Sequence, residues 1–194
     1  MPRPGSRHPL LLYAHILKRW AYLVVLLGIL LLALALVAYF FPERFTASVV
    51  SAETIFWILS GTAVFAFILA LFLLTVRRFA YVQPFENHLR IVTPFLRLKI
   101  SYRRIRQASS VEVARLYRVR GRRVAILRPF MKSTAIVLEL NKLPLSRIAL
   151  EFFLSPLFFP DQSPRIALLV PDWIKFSTEL ESLRSVWQDS QRPV

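Results

Sequence analysis

The chain has 194 residues, of which 56% are hydrophobic, and its mean hydropathy of +0.50 is too high for an ordinary soluble domain, which places it among membrane proteins. It carries 26 lysines and arginines against 11 aspartates and glutamates, so its net charge at pH 7 is +15. It has no cysteine, which excludes structural disulfides, thiolate metal sites and cysteine nucleophiles.

Two segments near the N-terminus are long enough to cross a bilayer. Residues 21–41 and 54–76 contain no charged side chain, and at ~1.5 Å rise per residue each helix would exceed the ~30 Å hydrocarbon layer. The alternative for the first segment is a cleaved signal peptide, but the apolar run of such a peptide is normally only about 7 to 15 residues long. We therefore predict an N-terminal segment and a transmembrane hairpin over residues 1–78.

The cations that flank the two segments predict the orientation of the hairpin. The connector between the spans has a single cationic residue, Arg44. Six cationic residues lie before the first span or after the second: Arg3, Arg7, Lys18, Arg19, Arg77 and Arg78. Because loops rich in lysine and arginine stay in the cytoplasm, we predict a multi-pass protein of the cell's inner or plasma membrane with both termini cytoplasmic. Neither span contains an ionisable residue, so the hairpin is expected to anchor the chain and not to transport protons or ions.

Small side chains form a stripe on the second span. Thr62, Ala66 and Ala70 recur every four residues, and such a stripe lets another helix approach closely. We predict that these residues pack against a helix. The partner is either the first span of the same chain or a second copy.

After Phe79 the hydrophobic pattern changes from helical to alternating. The segment LRLKISYR, residues 96–103, alternates apolar and polar side chains, as a half-buried antiparallel strand does. Six further β-rich segments cover residues 79–83, 88–93, 109–118, 124–130, 134–141 and 165–170. The basic stretch around Gly121 is expected to form a hairpin tip between two of them.

A C-terminal helix is expected after the last strand. Pro171 and Asp172 supply a start signal. The apolar residues that follow recur at three- and four-residue steps and form one stripe, made of Trp173, Phe176, Leu180, Leu183 and Trp187. This stripe must cover an apolar surface.

Seven strands followed by one amphipathic helix is the element order of a pleckstrin-homology-like barrel. The run from Tyr81 to Val113, above all ISYRRIRQASSVEV, resembles the bacterial pleckstrin-homology family that follows paired transmembrane helices. The shared pattern is a strand, a turn, a basic strand and then I-x-x-R-I-x-x-x-x-x-V, and it covers roughly residues 79–140. The turn at Thr93-Pro94-Phe95 departs from the pattern because it lacks a glycine.

The resemblance implies an α+β membrane protein of bacterial origin. Its expected fold is the transmembrane hairpin followed, over residues 79–194, by a cytoplasmic seven-stranded antiparallel β-barrel or sandwich of pleckstrin-homology type, capped by the C-terminal helix. Phosphoinositide specificity of the eukaryotic kind does not carry over with the resemblance.

An aromatic insertion interrupts the expected domain at residues 142–164, and its length exceeds what a compact domain normally needs. Two interpretations remain open for it: extra core folded over the barrel, or an exposed surface that enters the membrane interface or contacts a partner. The aromatic residues concerned are Phe152, Phe153, Phe158 and Phe159.

Positive charge is concentrated in the middle of the chain. Residues 77–132 contain fifteen lysines and arginines and two acids, and on a strand such charge can occupy only the solvent face. Anionic lipid headgroups, an acidic partner protein or solvent alone could face it, while nucleic acid ranks lower because no recognition motif is present. The predicted contact residues are Arg97, Lys99, Arg103, Arg104, Arg106, Arg118, Arg120, Arg122 and Arg123.

The sequence contains no motif for catalysis. Four glycines cannot build a phosphate-binding loop, and neither a GxSxG nor an HExxH motif occurs. The three histidines are scattered, so we expect no metal, no cofactor and no enzyme activity. We predict a membrane-anchored binding or scaffolding module for anionic lipid or protein; the alternative is an accessory or regulatory subunit of a membrane enzyme or transporter.

Overall fold

The protein divides into two compact units in the computed structural model, which describes residues 5–45, 51–117 and 126–191. One unit is the apolar segment Ile16–Arg77. The other joins the described residues of Met1–His15 to those of Arg78–Val194. The sequence prediction placed the whole of residues 1–78 with the hairpin, whereas the structure places the N-terminal segment through His15 with the sheets.

Two long helices make up the apolar unit. Helix α1 covers Leu11–Phe40 and helix α2 covers Ala52–Val76, and both are long and apolar enough to span a membrane. A Cβ added at Gly28 would lie 3.2 Å from the ring of Phe67 and 3.4 Å from the Cβ of Ala66, so the missing side chain allows the close approach of the two helices. The side chain of Ser51 caps the start of α2 by accepting a hydrogen bond from the Thr54 amide.

Two antiparallel sheets form the second unit. Sheet 1 has the order β1-β2-β3-β4 and sheet 2 the order β5-β6-β7. The strands of sheet 1 are His8–Pro9, Tyr81–Pro84, His88–Val92 and Arg97–Ser101, and those of sheet 2 are Ile105–Glu112, Thr134–Leu140 and Arg165–Leu168. Shorter helices lie at Val113–Leu116 (α3) and Arg147–Leu154 (α4), and the terminal helix α5 covers Trp173–Ser190.

The core of this unit comes from the inward faces of both sheets and from α5. Leu89 and Ile91 of β3, like Leu98 and Ile100 of β4, alternate with outward polar residues as the pattern predicts. Central strand β6 has buried side chains on both faces. Phe176 and Leu180 of α5 are fully buried, so the expected apolar stripe of the terminal helix covers the core.

The structure corrects three details of the expected strands. Of the two expected alternatives, a barrel or a sandwich, the closed barrel is wrong, because the strands form two separate sheets and the chain turns through a 3₁₀ segment, Tyr102–Arg104, between β4 and β5. The described part of the expected strand 124–130 is helical. Strand β5 begins earlier than the predicted residue 109 and gives way to α3 at Val113, where the chain turns back towards Ser133.

The first strand of sheet 1 precedes the apolar helices in the chain. His8 and Pro9 pair with Val82 and Tyr81, and the Leu10 amide donates to the Ala80 carbonyl at 3.1 Å. The Leu11 amide donates to Leu169 at 2.9 Å, and Leu10 is fully buried. The helical hairpin therefore replaces the loop of an ordinary β-hairpin, since it connects two neighbouring antiparallel strands.

This arrangement makes a prediction about folding. A chain in which a flexible linker of about eight residues replaces Ile16–Arg77 should unfold cooperatively, because such a linker reaches roughly 16 Å and the strands it joins are adjacent. A fragment of residues 79–194 should lack a cooperative transition, because it has lost β1 and the buried Leu10. Thermal unfolding followed by circular dichroism compares the two, and equal cooperativity would contradict the insertion.

Candidate functional site

The outward face of sheet 1 carries cations from neighbouring strands. Alternation along β3 and β4 points Arg90, Arg97 and Lys99 away from the core. Arg90 and Lys99 are directly opposite each other in the register of the two strands. Like charges placed this way destabilise a sheet, so the pair indicates a surface that is suited to an anion.

Neither member of this pair has an acidic neighbour in the part of the chain that the structure describes. Among the described residues no carboxylate lies within 4.0 Å of Arg90, Arg97 or Lys99. The Nε atom of Arg90 is buried and has no hydrogen-bond partner in the part of the chain that the structure describes.

Two further residues lie on the same side of sheet 1 as these cations. The Arg7 guanidinium lies 4.9 Å from the ring centroid of Tyr81, beside the start of β2. His88 follows the same alternation as Arg90; its ring stacks on Phe85, and its Nδ1 lies 2.5 Å from the Asn87 side-chain oxygen. Partial burial lowers the pKa of His88, and the positive charges of Lys99 and Arg90 lower this pKa further because they disfavour a third positive charge beside them. We call Arg7, Arg90, Arg97 and Lys99 the cationic face.

The structure separates the sequence-predicted arginines into different surfaces. Arg97 and Lys99 lie on the cationic face. Arg103, Arg104 and Arg106 are exposed at the turn that leads from sheet 1 to sheet 2, where the Arg104 carbonyl accepts from the Asn141 amide. The expected hairpin arginines, Arg118, Arg120, Arg122 and Arg123, lie outside the described residues.

The aromatic insertion divides between core and surface. Phe158 and Phe159 are buried, whereas Phe152 of α4 is 82% exposed and Phe153 is half-buried. Ser155, at the end of α4, has φ 87°, a backbone conformation that non-glycine residues rarely adopt, and it turns the chain from the surface into the core. Ile148 is 83% exposed one turn before Phe152, so α4 presents an apolar stripe to solvent.

The helix-packing residues lie on the apolar unit. Ala66 and Ala70 are buried, and Ala66 faces Gly28 of α1. Thr62 is exposed and its hydroxyl donates to the Ile58 carbonyl at 2.7 Å, while neighbouring Ala63 is buried in its place. Near the connector, a hollow of about 320 Å³ is lined mainly by apolar and aromatic side chains and contains one carboxylate, Glu53.

No cluster of three metal-ligating side chains occurs in the described ranges. The notable titratable pair is His8 and Glu179, whose Nε2 and Oε2 atoms are 3.0 Å apart. The Ser6 amide donates to the same carboxylate at 2.6 Å. This pair joins the N-terminal strand to α5, because His8 lies in β1 and Glu179 in the terminal helix.

Sequence reasoning missed Arg7, Arg90 and the His8–Glu179 pair. The alternation of HLRIV could have placed Arg90 on the face of Arg97 and Lys99. Arg7 and His8 gave no comparable signal, because a two-residue strand is too short to show a period. Their roles depend on contacts with residues far along the chain.

Comparisons with models of protein families, with curated proteins and with solved structures find no match for this chain.

The Glu179 contacts make a prediction about pH. Burial alone would raise the pKa of Glu179, but hydrogen bonds from His8 and Ser6 outweigh it, so folding lowers this pKa from its ordinary value of 4.5. The resulting stabilisation is complete above pH 4.5 and is lost as the pH falls through the lower pKa of the folded state. As the pH falls from about 7 to about 3, the melting temperature of the wild type should therefore approach that of Glu179→Gln. The exposed Glu181→Gln serves as control; a gap between wild type and Glu179→Gln that is independent of pH would contradict this assignment.

The facing cations make a second prediction. Lys99→Glu should stabilise the protein by roughly 0.2–1 kcal/mol in the absence of anions, because a like-charged cross-strand pair becomes an opposite-charged one. Thermal unfolding in uncharged detergent measures this change. Lys142→Glu makes the same change of charge at an exposed site outside the strands and should have a smaller effect. A melting temperature lower for Lys99→Glu than for Lys142→Glu would show that Arg90 and Lys99 do not repel each other.

Proposed function

We propose that this chain is a membrane-anchored, non-enzymatic binding module. The apolar hairpin spans a bilayer, and the folded unit presents the cationic face to anionic lipid headgroups. One observation carries the proposal: Arg90 and Lys99 are directly opposite each other and have no acidic partner among the described residues. A soluble domain gains no stability from such a pair, but a surface that binds anions does.

Helix length, composition and connectivity support the anchor. Both helices are long and apolar enough to cross a membrane, and most of their large apolar side chains are exposed. The segments that precede and follow the hairpin belong to one folded unit, so the chain must cross the bilayer an even number of times between them. Two crossings meet this requirement.

The flanking cations support a cytoplasmic location for the folded unit. Lys18 and Arg19 precede the apolar part of α1, and Arg77 and Arg78 follow α2. Because positive flanks remain on the cytoplasmic side, the unit is proposed to lie at the inner face of a cell membrane.

We infer that the folded unit is a variant of the bacterial pleckstrin-homology domain. Two antiparallel sheets of four and three strands followed by one C-terminal helix support this inference. In the proposed variant the first strand stands before the transmembrane hairpin. Such a domain binds and positions partners, and the described residues offer no catalytic constellation.

Energetics favour lipid as the anionic partner. A cation close to an anionic membrane surface gains roughly 1 kcal/mol. An anchored unit remains close to headgroups at all times, so weak contacts of this size suffice without a specific pocket. A nucleic acid would have to displace the lipid headgroups that already surround this surface.

The experiment compares the full-length chain in nanodiscs with and without anionic phosphatidylglycerol. The melting temperature should rise by several degrees with the anionic lipid, since roughly 1 kcal/mol per cation corresponds to about 3–5 °C for a unit of this size. The increase should vanish in Arg90→Glu/Lys99→Glu and should shrink at high salt. This double variant keeps a like-charged cross-strand pair, so only the sign of the charge changes.

Arg103→Glu/Arg104→Glu is the matched control because it changes the net charge equally at the turn between the sheets. It should keep most of the dependence on anionic lipid. Equal losses in both double variants would indicate attraction by net charge alone and would contradict a specific role for the cationic face.

An accessory-subunit function is the second candidate, and α4 is the observation that favours it. Ile148 and Phe152 expose an apolar stripe of the kind that contacts proteins. This hypothesis predicts no effect of anionic lipid on the melting temperature of any of these variants.

A further inference from the structure

Both chain connections between the folded unit and the helical hairpin lie at one end of the folded unit. The chain leaves the unit at His15 and returns to it at Arg78. The segments that lead to these points are adjacent, because the Leu10 amide donates to the Ala80 carbonyl. We call this the exit end of the unit.

The turn between β3 and β4 lies at the exit end. Tyr81, the first residue of β2, pairs with Val92, and Val92 pairs with Arg97, so the intervening turn is beside the start of β2. Hydrogen bonds close the turn: the Thr93 amide donates to Leu96 at 2.8 Å, and the Leu96 amide donates to Thr93 Oγ1 at 3.1 Å. Thr93 also shares a side-chain hydrogen bond with Tyr13 of the N-terminal segment.

The same register places other loops at the opposite end. His88 pairs with Ser101, and the loop from Phe85 to Asn87 closes on the buried Tyr102, whose hydroxyl donates to the Phe85 carbonyl at 2.5 Å. At about 3.3 Å per residue, the length of β4 separates Ser101 from Arg97 by roughly 13 Å. The arginines that follow Tyr102 therefore lie far from the exit end.

The exit end exposes aromatic side chains beside cations. Phe95, in the turn between β3 and β4, is 61% exposed, and Phe79 is 58% exposed. Arg78 and Arg97 are exposed beside them in the chain. Apolar rings flanked by long cationic side chains suit the boundary between lipid headgroups and acyl chains, where the rings enter the apolar layer and the charges meet phosphate.

We propose that the turn Thr93–Leu96 is a membrane-interface anchor that inserts Phe95 into the bilayer while Arg97 contacts headgroup phosphates. This inference rests on the proposed function, because it requires the hairpin to span. It adds an orientation: the exit end faces lipid, and the loop at residues 85–87 faces water.

Single-cysteine labelling tests the orientation, and the chain is suited to it because it has no native cysteine. Phe95→Cys, Glu86→Cys and Val64→Cys are each labelled with a polarity-sensitive fluorophore in the full-length chain and reconstituted in phosphatidylcholine/phosphatidylglycerol vesicles. A lipid with a nitroxide near its headgroup quenches a fluorophore at the membrane surface, and a lipid with a nitroxide deep in its acyl chain quenches one in the bilayer core. Iodide quenches a fluorophore that is exposed to water.

The label at position 95 should be quenched by the shallow nitroxide and should show several-fold less iodide quenching than the label at position 86. The label at position 64, an exposed site within α2, should respond to the deep nitroxide. Phe79→Cys provides a second labelling site at the exit end and replaces Phe95→Cys if that variant proves unstable. The expected quenching is the same at both positions.

The outcomes separate this inference from the anchor itself. Iodide access at positions 95 and 79 equal to that at position 86, together with deep quenching at position 64, overturns the interface anchor and leaves the spanning hairpin intact. Iodide access at position 64 overturns the spanning hairpin and the interface anchor together.

Discussion

The pairing of β1 with β2 determines the connectivity of this fold, because it joins the start of the chain to the strand that follows both apolar helices. Two residues, His8 and Pro9, hold the start of the chain against a strand that follows both apolar helices. The contact is reinforced by Glu179, which accepts from Ser6 and His8, and by the burial of Leu10. Because loop closure costs entropy, so short a strand would not by itself hold a long flexible loop. A helical hairpin that has already formed brings its own ends together and lowers that cost.

This connectivity couples the fold of the sheets to the placement of the helices. A domain that merely follows a hairpin has one junction with it, whereas this unit has two junctions, at His15 and Arg78. The segments that lead to the junctions are joined by the hydrogen bond from the Leu10 amide to the Ala80 carbonyl. Within the folded unit, the alternating strands place Arg90 and Lys99, which have no acidic partner among the described residues, on a single face.

The surfaces of the unit differ in chemistry. The cationic face is charged, the exposed stripe on α4 is apolar, and Arg103 and Arg104 are exposed at the turn between the two sheets. Such separation arises because each strand sends alternate residues to opposite sides, while helix α4 exposes residues at three- and four-residue steps.

Local patterns in the sequence predict the two apolar helices, the alternation in β3 and β4, the β-rich runs of β2, β6 and β7, and the terminal helix. The alternation also places Arg97 and Lys99 on the solvent side. Tertiary contacts establish that residues before the first helix complete sheet 1, that the sheets are separate, and that Arg90 faces Lys99. These features are pairings between distant parts of the chain, and a two-residue strand or a register between strands leaves no periodic signal in either segment alone.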